Sequence, residues 1–150
     1  MADLITPELV DLNLTATERV DATRSLAERL QAAGRVTDLE QFLADVRARE
    51  AQMPTGLEGG IGIPHCRSLV VVEPTLAFGR STQGIDWGAA DGPAHLIFLI
   101  AAPEGGGAEH MGILASLARR LIHQSFKDAL QQAPDSEAVV TLVKKEVLGQ

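Results

Sequence analysis

Three residues carry side chains, in positions, suited to handling a phosphoryl or carboxylate group: His65, Arg49 and His110. His65 follows the run "GGIGIP" and precedes the only cysteine of the chain. An imidazole acts as a nucleophile when one ring nitrogen is unprotonated and the other donates a hydrogen bond that fixes the tautomer; a backbone carbonyl would serve as the acceptor. Pro64 fixes its own φ and holds Ile63 extended, so a strand ending here presents His65 in a definite direction. Gly59, Gly60 and Gly62 remove side-chain bulk and admit another backbone or a partner protein. The competing reading is a buried structural histidine. No Asp or Glu adjoins His65, which weighs against a hydrolytic triad.

Arg49 lies three residues after Val46 and seven after Phe42, continuing an otherwise apolar helical stripe. It reads either as a cation suited to a helix C-terminus or as a guanidinium aimed into a cleft, where its fork matches phosphate or carboxylate. His110 starts the row continued by Leu114, Leu117 and Leu121, in the first turn of a helix opened by "EGGGAE". Glycines there leave backbone N–H groups open to an anion, although an inward structural histidine fits the pattern as well. The loop lacks the Lys-Ser/Thr ending of a nucleotide-binding loop, so no nucleotide cofactor is expected. Two histidines raise the question of metal, but neither belongs to an HxxxH or HExxH pattern, and no metal is expected. His95 and His123 read as partly exposed surface residues, and Trp87 as the anchor of a turn. Cys66 is either a small space-filler at a strand end or a thiol whose thiolate Arg67 would favour.

These residues need elements to hold them. "TATE" at Thr15 and "TDLE" at Thr37 have the spacing of capping boxes, predicting helices over about 16–33, closed by Gly34, and from Thr37 toward Pro54. Between Gly56 and Ala101 the pattern turns to short β-type runs, "IGI", "SLVVV", "TLAFGRS" and "HLIFLIA", separated by Gly, Pro and Asp. The last is apolar almost throughout, as in a strand covered on both faces. Helical periodicity then returns, with further helices over about 124–132 and 136–147. The expected fold is α/β: a three-layer-type sandwich whose mixed sheet of four to five strands is flanked by helices.

The 150 residues are 45% apolar and 22% charged, which suits one globular domain. The longest apolar run, Leu96 to Ala102, is far short of the roughly 20 residues of a membrane span, and no secretory signal is visible at the N-terminus. A cytoplasmic location is expected. The net charge of −7 argues against nucleic acid and fits a basic protein partner better.

"REAQMPTGLEGGIGIPHCRS" followed by "GIDWGAADGPAHLIFLIAAPEGGGAEHMGILASLARRL" resembles the fructose/mannitol-type (type 2) EIIA domain of the bacterial phosphoenolpyruvate-dependent sugar phosphotransferase system. The likeness extends over almost the whole chain and implies that residues 1–150 form one phosphoryl-carrier domain. It implies that His65 accepts a phosphoryl group on Nε2 from the phosphocarrier HPr and passes it to a cysteine of EIIB, itself coupled to the membrane domain EIIC. Arg49 and His110 match the family positions against that histidine: Arg49 to neutralise phosphoryl oxygens, His110 to donate a hydrogen bond or orient the ring. A shallow docking patch is implied around His65, with Ile61, Ile63 and Met111 as candidates. Many relatives carry Gly where this chain has Cys66. The alternative function is a nitrogen-type EIIA module that regulates other proteins and feeds no transporter; a third, set apart from the resemblance, is a hydrolase using His65 and His110.

Overall fold

The structure, a computed structural model, describes residues 3–53, 55–57, 59–105, 108–121 and 123–149, apart from the side chains of residues 108–111 and 114. A 3₁₀ turn, Pro7–Leu9, leads into β1 (Val10–Asp11), α1 (Arg19–Ala32) and α2 (Leu39–Gln52). Then come β2 (Gly56–Leu57), β3 (Ile61–Gly62), β4 (His65–Ser68), β5 (Thr75–Ile85) and β6 (Ala94–Pro103), followed by α3 (Ala108–Arg120), α4 (Gln124–Gln132) and α5 (Ser136–Glu146). Among the described residues none of the helices is long and apolar enough to cross a membrane.

The sheet is mixed, in the order β1-β5-β6-β3-β2, with β4 also paired to β6. The antiparallel pair β5 and β6 is its centre, with Phe78 opposite Phe98 and their rings 5.1 Å apart. Alternate residues of β6 point to opposite faces. Ile97, Leu99 and Ala101 enter a core shared with Leu26, Leu30, Phe42 and Val46 of α1 and α2. Leu96, Phe98 and Ile100 enter a second core with Leu117, Leu130, Val139 and Val143 of α3, α4 and α5. Two cores divided by one sheet make the three layers of the expected sandwich. Among the described residues the strands number six, more than the expected four to five; β1 and β2, each two residues long, and all of β4 but Ser68 lie outside the runs the sequence signalled.

Three local expectations change. The Thr15 capping box does not form: α1 starts only at Arg19, after Glu18, which is extended, bridges to Asp86 and is the N-cap without a side-chain cap bond. Sheet pairing wins over the local cap. The second helix is capped by Asp38, whose Oδ1 accepts from Gln41 N–H at 3.1 Å, while the Thr37 hydroxyl donates to Val70 O. Of "SLVVV" only Ser68 belongs to a strand: pairing with β6 ends there, the chain turns, and Val71 makes just an isolated bridge to Val36, leaving Leu69 85% and Val72 55% exposed.

Other expectations hold closely. Gly34, at φ +76°, ends α1 in a Schellman motif, with Gly34 N–H donating to Gln31 O and Arg35 N–H to Leu30 O. The helices expected over about 124–132 and 136–147 are α4 and α5, the latter capped by Asp135 through Ala138 N–H. α4 has no basic residue in its last turn. Arg80 of β5 instead places Nη1 3.0 Å from the carbonyl oxygens of Leu130, Gln131 and Ala133.

Candidate functional site

β3 and β4 run along the same edge of β6 in one continuous register, Ile61 opposite Leu96 and His65 opposite Ile100. Only Ile63 and Pro64 interrupt the line, and Pro64 O still accepts from Ile100 N–H at 3.0 Å. His65 therefore does not follow a strand end, as its sequence suggests, but opens a new strand after a proline break. The break turns the Ile63 carbonyl away from the β6 ladder and toward the ring, and His65 Nδ1 lies 2.8 Å from it. A carbonyl oxygen only accepts, so Nδ1 carries the proton and donates. In the neutral ring the lone pair then resides on Nε2. His65 as a residue is only 8% exposed, so its orientation is fixed by packing as well as by this bond.

Helix α2 lies against β4, antiparallel to it. At one end Ser68 Oγ donates to Asp45 Oδ2 at 2.6 Å; at the other, Ile63 N–H donates to Thr55 O at 3.1 Å, just beyond the helix. These two contacts bracket Arg49 along α2 as they bracket His65 along the strand. Arg49 is half-buried and donates from Nη1 to Met53 O at 3.4 Å. His110 belongs to the first turn of α3, as expected, and its side chain lies outside the described residues. Among the described residues no three His, Cys, Asp or Glu side chains gather as a metal set.

Two expectations about the surroundings of His65 are corrected. Gly62 makes room for a side chain of the chain itself, not for a partner: a Cβ there would stand 2.6 Å from Cδ2 of Trp87, whose indole lies against it. Ile61 and Ile63 are core residues, 1% and 4% exposed, whereas the exposed apolar side chains nearby are Met53 and Leu57. Met111, the third docking candidate, has its side chain outside the described residues. Trp87 is the expected anchor, buried and donating from Nε1 to Thr55 Oγ1 at 3.2 Å. His95 and His123 stand apart from the site: His95 Nδ1 meets Ser81 O at 2.8 Å, and His123 is the N-cap residue of α4.

Cys66 is 5% exposed and faces α2, packed in the core with Val46, while Arg67 points to the opposite, exposed side. Burial pushes its thiol up to about 12, and the Asp45 carboxylate adds to the shift. The space-filling reading therefore holds, and the alternative, a thiolate favoured by Arg67, fails because consecutive strand residues face opposite ways. Sequence reasoning missed Glu50 and Thr55, which join the end of α2 to the His65 segment. Glu50 Oε2 accepts from Thr55 N–H and Oε1 from the Thr55 hydroxyl, both at 2.5 Å. The signal for Glu50 is its place beside Arg49 in the sequence.

The sequence profile described as "Phosphoenolpyruvate-dependent sugar phosphotransferase system, EIIA 2" matches residues 3–146. The chain is 38% identical over 145 residues to the PTS system fructose-specific EIIA component of Haloferax volcanii, covering 95% of this chain and 94% of that one. It is 32% identical over 146 residues to the fructose-specific EIIABC component of Bacillus subtilis, covering 97% of this chain but only 23% of that longer protein. Among solved structures it resembles nitrogen regulatory protein IIA-Ntr from Neisseria meningitidis, with a TM-score of 0.86, 26% identity and coverage of 93% and 96%. It resembles the mannitol IIA of Escherichia coli with a TM-score of 0.77, 26% identity and coverage of 93% and 98%. A histidine locked in one tautomer at a strand start thus sits in a fold shared with these proteins, and the chain belongs to the EIIA 2 family of the phosphoenolpyruvate-dependent sugar phosphotransferase system.

Proposed function

We propose that this chain is a phosphohistidine carrier of a sugar phosphotransferase system, with fructose as the sugar. The Nε2 lone pair of His65 attacks phosphorus on phospho-HPr; the new N–P bond forms as the bond from phosphorus to its donor breaks. A cysteine thiolate of EIIB then attacks the same phosphorus, taking the phosphoryl group and returning His65 to its neutral form. The carrying observation is the Nδ1–H donation to Ile63 O, which leaves Nε2 as the nucleophilic atom before any partner arrives. Arg49, placed along α2 at the level of His65, neutralises the phosphoryl oxygens, and His110, opening α3, donates to them or orients the ring. Both partners bring their reacting atom on a protein, so the surface around His65 is a docking site, with Met53 and Leu57 as its exposed apolar members.

Support for EIIB as acceptor comes from relatives. The Bacillus protein joins EIIA, EIIB and EIIC in one component, and a complex of Escherichia coli IIA mannitol with phosphorylated IIB mannitol has a fold like this one. The fructose reading rests on the Haloferax likeness and implies a cytoplasmic setting beside a membrane EIIC. The second reading, a nitrogen-type regulator, rests on the shape likeness to the Neisseria protein. Incubation with phosphoenolpyruvate, enzyme I and HPr should add one acid-labile phosphoryl group by intact mass, absent from His65→Ala. Stable labelling of that variant would sink the assignment. Discharge of the label by a fructose EIIB separates the transport reading from the regulatory one. Arg49→Ala should remain folded and transfer roughly 100-fold more slowly; an unchanged rate would make Arg49 a helix-end cation only.

A further inference from the structure

Glu50 occupies a position that helix electrostatics disfavours. It lies in the last turn of α2, where the partial negative charge of the helix terminus favours cations. It is half-buried, so its carboxylate has lost part of its hydration. Both oxygens are nevertheless committed to one residue: Oε2 to Thr55 N–H and Oε1 to Thr55 Oγ1–H. Thr55 is itself 8% exposed and is held from the other side by Trp87 Nε1.

From Thr55 the connection continues to the nucleophile. Its carbonyl accepts from Ile63 N–H at 3.1 Å, and the Ile63 carbonyl accepts from His65 Nδ1–H at 2.8 Å. At both Thr55 and Ile63 the N–H and the C=O belong to different peptide units, so the chain of bonds transmits position and not charge. Loss of the first link leaves Thr55 held by Trp87 alone on its side-chain face and loosens it, and with it the segment whose carbonyl selects the tautomer of His65.

We propose that Glu50 is a positioning residue for phosphoryl transfer: acting through Thr55 and Ile63, it holds the carbonyl that keeps the His65 proton on Nδ1 and the lone pair on Nε2. This inference rests on the phosphohistidine reading above, but one of its readouts does not. Glu50→Gln retains shape but replaces one acceptor oxygen with an NH₂ that cannot accept from Thr55.

The test pairs ring ¹⁵N spectra of His65 at a pH where the ring is neutral with the rate of phosphoryl transfer from phospho-HPr. Wild type should show one tautomer, protonated at Nδ1. Glu50→Gln should show a mixture with the Nε2–H form and transfer about 10-fold to 100-fold more slowly at saturating phospho-HPr, with KM unchanged. A merely structural Glu50 would lower the folded fraction and leave the tautomer and the rate per folded molecule unaltered. Wild-type tautomer and rate in a folded Glu50→Gln overturn the inference, while labelling of wild type on His65 leaves the phosphohistidine reading standing. If wild type takes up no phosphoryl group, that reading fails, and the ¹⁵N spectra still decide whether Glu50 sets the tautomer. Should Glu50→Gln fail to fold, Thr55→Val, lacking the hydroxyl link, must show the same two effects in weaker form, and Thr55→Ser must restore both. A Thr55→Val indistinguishable from wild type in both readouts would then refute the role.

Discussion

Cys66 should be nearly inert toward thiol reagents in the native protein, although it adjoins the proposed nucleophile. Only the thiolate reacts at an appreciable rate. At pH 8 a thiol with the ordinary value of 9.0 is about one-tenth ionised, whereas one pushed up to about 12 is ionised in about one molecule in ten thousand. Alkylation by iodoacetamide should therefore be roughly 1,000-fold slower in the folded chain than in the same chain in guanidinium, even before shielding by the core is counted. Rates followed by intact mass give the ratio directly. The linkage has a definite sign. Unfolded thiols lose their protons around pH 9 and the native one only near 12, so between those values the native state binds more protons and stability falls as pH rises. The limiting slope is about 1.4 kcal/mol per pH unit, and Cys66→Ala should remove that part of the alkaline loss. A native alkylation rate within tenfold of the unfolded one would refute both the burial and the assignment of Cys66 as a filler.

Two further substitutions test the scaffold. Gly62→Ala drives a Cβ into the indole of Trp87, which is buried and tethered through Nε1 to Thr55, so urea denaturation should show a loss of about 1–3 kcal/mol; an unchanged midpoint would mean that the indole does not pack there. Asp38→Ala should cost about 1 kcal/mol as a lost N-cap and Thr37→Ala less; the reverse ranking would restore Thr37 as the cap of α2.

Legibility of the fold followed the kind of force that decides each element. α4 and α5 could be read because their apolar stripes and the Asp135 cap are local, and Gly34 because a positive φ at the end of α1 has a local cause. The start of α1 and the placing of β4 depend on distant strands. Glu18 is held extended by Asp86, and pairing of β4 is dictated by the register that Ile61 sets on β6. An apolar run such as "SLVVV" carries β propensity, but beyond Ser68 it meets only Val36, in a single bridge. In the site, His65 and Arg49 are recognisable because their types are unusual for their positions. Glu50 and Thr55 are ordinary residues in sequence. Their connection appears only when the chain returns to lay Ile63 beside Thr55.

The contact of Arg80 with the end of α4 has a kinetic consequence. Three carbonyls that a helix usually satisfies with neighbouring residues depend here on a guanidinium 50 to 53 positions earlier. The closing turn of α4 thus cannot gain its cap until β5 is in place. A chain emerging from the ribosome makes β5 first, so Arg80 is waiting when α4 appears. In a circular permutant opened between β6 and α3, α4 would instead be made before its cap and fold without it. Such a permutant should reach the same native state more slowly, with the delay confined to the layer formed by α3, α4 and α5.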